Sequence, residues 1–142
     1  MTPYSLDLSH LEAAYAAGTL TPEQLVRDLY ARMAMHVGNP IWIHVLPESQ
    51  VMQSARELRA RRATGARLPL YGVPFAVKDN IDVAGCPTTA GCPAYAHTPA
   101  ETAFAVQCLL DAGALLIGKT NLDQFATGLV GTRSPYGQCQ NA

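Results

Sequence analysis

An α/β fold is predicted for this 142-residue chain, and three observations predict it. Two short apolar runs, at 73 to 78 and 114 to 118, have the length and continuous apolar character of strands. A stretch with helical apolar spacing lies between them, so a crossover joins the pair and the strands should run parallel. Runs this apolar are expected to be buried on both faces, which calls for helices on either side of the sheet.

The elements can be justified in order. Ser9 and Glu12 have capping-box spacing, Leu11, Ala14 and Tyr15 share a face, and Gly18 offers a left-handed stop, so a helix is expected there. A second starts at Thr21, a capping residue followed by Pro22 in the first helical position and by Gln24, which can reach back. Leu25, Val26, Leu29, Tyr30 and Met33 then recur at helical spacing and should pack. Residues 41 to 45 read as a strand, and 48 to 63 as a helix with Val51, Ala55 and Leu58 inward. A polar connection, 64 to 67, separates a helical N-terminal region with one strand (1 to 67) from a β-α-β segment (68 to 142). In that segment, strand 73 to 78 leads into a long loop, 80 to 97, punctuated by Gly85, Pro87, Gly91 and Pro93. So long a loop is functional or else structured by the rest of the protein. Thr98-Pro99-Ala100-Glu101 repeats the capping logic and predicts a helix from there to Ala112, ended by Gly113. After strand 114 to 118, Asn121 and Asp123 are candidate caps for a short helix, with Asn121 favoured.

Composition narrows the function classes. The 49% apolar content suits a soluble globular domain, and a formal net charge of -1 gives no electrostatic footprint for nucleic acid or an anionic membrane. Arg56, Arg59, Arg61, Arg62 and Arg67 read as a solvated helix face rather than a phosphate track. Cys86, Cys92, Cys108 and Cys139 form no C-x-x-C pair, and His10, His36, His44 and His97 are scattered, so neither a zinc site nor another metal is expected. MTPYSLDLSH has no basic start, apolar core or cleavage signal, and no apolar run approaches the roughly 20 residues that span a bilayer. A cytoplasmic setting with reduced thiols is expected.

Lys78 is the leading candidate for chemistry. It ends the apolar run GVPFAV and precedes Asp79-Asn80-Ile81, surroundings that strip water from an ammonium and free the neutral amine to act as a base. Lys119 also borders an apolar strand, but an ion pair or hydrogen bond that pins the neighbouring loop is the reading favoured for it. In open parallel sheets chemistry gathers beyond the carboxyl ends of strands, so Lys78 and the 121 to 131 loop should line one cleft.

Two stretches carry a resemblance. LPLYGVPFAVKDNIDVAGCPTTAG (68 to 91) resembles the lysine-bearing segment of the amidase signature family, and GALLIGKTNLDQFATGLVGTRSPYGQCQNA (113 to 142) resembles that family's strand, K-T-N turn and following loop. The wording LDQFATGLVGTRS (122 to 134) is most similar to the allophanate-hydrolysing branch, where amidotransferase A subunits more usually read E-F-A-M-G. The resemblance implies an α/β/α fold with a mixed, partly parallel sheet covered by helices and incomplete in this chain. It implies a Ser, cis-Ser, Lys triad acting on a small-molecule amide without a cofactor, with Lys78 as the base. It also implies main-chain contact to substrate at Thr127 and Gly128, although a tight turn explains that glycine equally well. Neither serine of the triad has a counterpart here, and Ser134 belongs to the G-T-R-S-P-Y-G loop. The chain thus reads as the N-terminal part of a larger amidase, with the remainder of that domain as its partner. Alone it is expected to be inactive, oligomeric or marginally stable, and mobile at 80 to 97 and 122 to 142.

Overall fold

The structure, a computed structural model, describes residues 5–140; the first residues of the stretch read for targeting signals and the last two of the 122 to 142 segment lie outside the described residues. Along the chain run α1 (Leu8–Ala16), α2 (Pro22–Ala34), β1 (Trp42–Val45), α3 (Glu48–Ala63), β2 (Pro74–Lys78), α4 (Phe104–Asp111) and β3 (Leu115–Thr120). Short 3-10 turns stand at Pro93–Tyr95 and Gln124–Ala126. The strands form a mixed sheet in the order β1, β3, β2. β2 runs parallel to β3, as the crossover requires, and β1 runs antiparallel to it.

Local chemistry accounts for the helix starts. At α2 the Thr21 hydroxyl accepts from the Gln24 amide at 3.2 Å, and the Gln24 side chain accepts from the Thr21 amide at 2.8 Å, a complete capping box with Pro22 in the first turn. The box expected at Ser9 and Glu12 does not form. α1 already begins at Leu8, so Ser9 lies inside its first turn, and the flanking Asp7 makes no side-chain cap. α4 also departs from expectation, starting at Phe104 rather than near Thr98. The intervening backbone is engaged with the preceding loop: Gly85 donates to the Pro99 carbonyl at 3.1 Å, Ala84 to the Thr102 hydroxyl at 3.0 Å, and Ala103 to the Asp82 carbonyl at 2.9 Å. Residues committed to those bonds are not free to wind the first helical turn.

Val26, Val51, Ala55, Leu58, Val77, Val106 and the apolar residues of β3 form one core between the sheet and the helices, with Leu11, Tyr15 and Leu25 in a smaller cluster beside it. The arginines of α3 lie on its solvated face, where Arg59 pairs with Glu23 at 3.1 Å and Arg62 lies over the Tyr71 ring at 4.3 Å. Gly118 lets β1 cross β3 closely, because a Cβ there would collide with the His44 carbonyl and come within 3.1 Å of the Val45 Cα. No helix among the described residues is long and apolar enough to cross a membrane.

The expectation that both parallel strands are buried on both faces holds for β3 alone. β3 is buried from Leu115 to Lys119, whereas in β2 only Val77 is buried and Ala76 and Lys78 are exposed. The strand order explains this. β3 is central, while β2 is an edge strand whose Val77 side meets the core and whose opposite side is left open. α4 is similarly unfinished: Val106 is buried, but Phe104 is 85% exposed.

Strand β3 extends past Gly118, so Lys119 lies within the central strand and is 0% exposed. Its ammonium faces Asp79 Oδ1 at 3.2 Å and donates to the Thr88 hydroxyl at 2.9 Å and the Pro87 carbonyl at 3.1 Å. Asp79, also 0% exposed, accepts through Oδ2 from the Thr89 amide at 2.9 Å and from the Thr89 hydroxyl. The loop-pinning role read for Lys119 is therefore what the structure shows. It also shows that loop 80 to 97 is held by this chain itself, with an antiparallel bridge between Thr88 and His97. Removing one member of a buried pair strands the other charge, at a cost of about 3–5 kcal/mol. Lys119→Met or Asp79→Asn should therefore lower the urea midpoint of the chain sharply, and the double substitution Asp79→Leu/Lys119→Met should recover part of the loss. Unchanged midpoints for the single variants would contradict this account.

Candidate functional site

Residues at the carboxyl ends of β2 and β3 are brought together by register. Lys78 stands opposite Thr120, the last residue of the parallel neighbour, and the Asp79 amide donates to the Thr120 carbonyl at 3.1 Å. Period-two alternation turns Val77 into the core and places Lys78 on the open side of the sheet, where its side chain is exposed. The sequence leads one to expect a desolvated lysine, and the exposure differs for the reason given above: no element of this chain covers that side of β2.

The two loops that follow the strands are stitched to one another. Ala90 donates to the Asp79 carbonyl at 3.1 Å, and Phe125 donates to the Ala90 carbonyl at 2.8 Å, so the backbone steps from the end of β2 across to the loop after β3. Three non-glycine residues at this junction have left-handed backbones: Ala90 (φ 51°), Phe125 (φ 52°) and Ala126 (φ 54°). Such conformations are uncommon for residues with a Cβ and persist where the surroundings over-determine them. Beside the junction opens a cavity of about 290 Å³ lined by Asn80, Asp82, Thr88, Tyr95, His97 and Phe125. Tyr95 stacks edge-on against both His97 and Phe125, and His97 Nε2 lies 3.6 Å from an Asp82 carboxylate oxygen.

Thr127 and Gly128 follow this junction. The Thr127 hydroxyl and amide both address the Gln124 carbonyl, at 2.8 and 3.2 Å. Gly128 lies against Asp123, so closely that a Cβ on residue 128 would collide with the Asp123 carboxylate. That carboxylate is buried and accepts three backbone N–H groups: Val130 at 3.2 Å and Gly131 at 2.9 Å through Oδ2, and Arg133 at 2.6 Å through Oδ1. The Arg133 amide first, then that of Gly131, holds the Asp123 carboxyl below its ordinary range, against an opposing push from burial.

Asn121 and Asp123 thus do something other than the helix capping expected of them, and the 3-10 turn that follows has no side-chain cap. Asn121 Nδ2 donates to the Pro40 carbonyl at 2.9 Å and the Gly137 carbonyl at 3.0 Å, while its Oδ1 accepts from the Leu122 amide and the Ser134 hydroxyl. Ser134 is therefore a loop fastener. The Tyr136 hydroxyl reaches the Thr89 hydroxyl at 3.4 Å, and Asn39 exchanges two bonds with the Gln140 backbone, at 2.7 and 2.9 Å. Asp79, Thr89 and the anchoring role of Asp123 were not singled out by sequence reasoning. The one available signal was a buried-strand lysine at 119 that needed an acid, with Asp79 ending the neighbouring strand.

Known proteins share both this sequence and this geometry. The Amidase family model matches residues 24–142. The urea amidolyase of Lachancea kluyveri is 49% identical over 124 residues, covering 85% of this chain and 7% of that protein. The A chain of the mitochondrial glutamyl-tRNA(Gln) amidotransferase of Ornithorhynchus anatinus is 38% identical over 138 residues, covering 96% of this chain and 26% of that one. Among solved structures, the allophanate hydrolase of Kluyveromyces lactis superposes with a TM-score of 0.74 at 42% identity, over 94% of this chain and 22% of that chain. The chain thus spans well under a third of the length of these relatives. With a family model matched over most of its residues and a mixed α/β sheet that these structures share, this chain belongs to the amidase signature family.

Proposed function

We propose that the chain supplies the lysine-bearing segment of a serine amidase that hydrolyses allophanate to ammonia and carbon dioxide. Lys78, as a neutral amine, takes a proton from the cis-serine, which takes one from the nucleophilic serine. That serine attacks the amide carbonyl, the amine leaves with a proton, and water hydrolyses the acyl-enzyme. Both serines and the oxyanion-hole amides belong to the remainder of the domain, which is the partner this segment requires. Thr127 and Gly128 offer main-chain groups to the substrate, and no cofactor takes part. The proposed setting is the cytoplasm.

The observation that carries the allophanate reading is the identity gap: 49% to a urea amidolyase against 38% to a glutamyl-tRNA(Gln) amidotransferase. An amidase of other specificity is the second reading, supported by the long reach of the amidotransferase match, 96% of the chain. The open side of β2 at Ala76 and Lys78 fits either reading, since it leaves the lysine accessible to the rest of a catalytic domain.

A chimera tests the proposal: this chain replaces the corresponding segment of Kluyveromyces lactis allophanate hydrolase, and ammonia release from allophanate is measured. Activity is expected in the chimera, with Lys78→Ala lowering turnover at least about a hundredfold, in keeping with loss of a positioned base. Full turnover in the Lys78→Ala chimera would remove the lysine from the mechanism, and preference for another amide would move the reading to the second specificity. The isolated 142-residue chain is expected to release no ammonia from allophanate, biuret or simple amides. Turnover by that chain, abolished by Lys78→Ala, would overturn the claim that its catalytic set is incomplete.

A further inference from the structure

We propose that Asp123 is the positioning residue of the Thr127 and Gly128 turn, and that residue 128 is glycine because the Asp123 carboxylate fills the space a side chain would take. The inference deepens the proposed function and rests, for its catalytic consequence, on reading that turn as substrate-contacting.

Two explanations of a glycine can be separated at this position. The first is a left-handed backbone, which applies at Gly131, where φ is +70° and the space around the missing Cβ is open. Gly128 is the reverse case. Its backbone lies outside the left-handed region, and the obstacle is the Asp123 carboxylate, whose Oδ2, Cγ and Cβ all crowd the position. Space, and not conformation, dictates the residue.

The same carboxylate closes the loop. Its bonds to the amides of Val130, Gly131 and Arg133 form an anion-binding nest that the chain fills with its own acid. The Gln124 amide returns a bond to the Arg133 carbonyl at 2.9 Å, so residues 123 to 133 form a ring with Thr127 and Gly128 on its arc. Arg133 is also the charged side chain that acts on Asp123. Linkage has a definite sign here. A carboxyl whose folded pKa is depressed stabilises the ring above its unfolded pKa, and that stabilisation fades as pH falls through the folded value.

The test uses the 142-residue chain carrying Asp123→Ala, Gly128→Ala, both together, or Asp123→Asn. Gly128→Ala alone should shift the unfolding constant at least about tenfold, and in the Asp123→Ala background by less than about threefold, a coupling expected of residues in contact. Amide resonances of Val130, Gly131 and Arg133 should titrate together with a midpoint below 3.8 and lose that titration in Asp123→Asn. Equal costs of Gly128→Ala in both backgrounds, or three amides indifferent to Asp123, would overturn the positioning role whatever the enzyme does. In the chimera, Asp123→Asn should raise KM for allophanate more than it lowers kcat. An unchanged KM alongside intact coupling would overturn the substrate reading of the turn and leave the positioning role standing.

Discussion

The organisation of this chain depends on a charge buried where burial is costly. Lys119 sits in the middle of a central strand, and its ammonium is sheltered by Asp79, Thr88 and the Pro87 carbonyl. Desolvating both ions costs several kcal/mol each, which only good geometry and further hydrogen bonds can offset. That demand extends outward. Asp79 can face Lys119 only if β2 ends in register with Thr120, and its second oxygen is satisfied only if Thr89 folds back over it. The pair thereby turns a strand end, a long loop and a neighbouring strand into one rigid unit.

That unit places functional groups without containing them. Lys78 is the residue immediately before the buried Asp79, and alternation along β2 sends the two side chains to different environments, one solvent-exposed and one fully enclosed. Ala90, on the returning loop, carries the connection onward to Phe125, and so to the turn at Thr127. A strained backbone at Ala90, Phe125 and Ala126 is consistent with a junction whose shape is imposed from several sides. An exposed Phe104 and an open β2 edge are the complementary sign, surfaces that this chain leaves for something else to cover.

Much of this was legible in the residues. The Thr21 capping box, the helix at 48 to 63, the parallel pairing and the structural role of Lys119 were each written in local chemistry or periodicity, and local signals survive where nothing distant competes. The failures share a cause. Helix α4 starts late because Pro99, Thr102 and Ala103 bond to a loop some distance back along the chain. β2 is half-exposed because strand order, which apolar content does not reveal, puts it at an edge. Asn121 and Asp123 were read as caps because their residue types suit that task, yet their partners lie at Pro40 and at 130 to 137. The lysine and the T-G turn were visible as a motif; the packing that shapes them was not.

The strand order has a consequence for how such a chain is made. β3 is the last of the three strands to leave the ribosome, yet it lies between the other two. Until it emerges, β1 and β2 have no neighbour to bond with, and Asp79 has no cation. The nascent chain must therefore carry two unpaired strands and an uncompensated acid through most of its synthesis, with the helices α2 and α3 able to pack on each other early. Closing the sheet is a long-range event between residues far apart in sequence, which is the slow kind of step in folding. Translation speed just after residue 119, and any chaperone that shields open strand edges, should therefore bear more on the yield of native protein than the intrinsic helix strength of its N-terminal third.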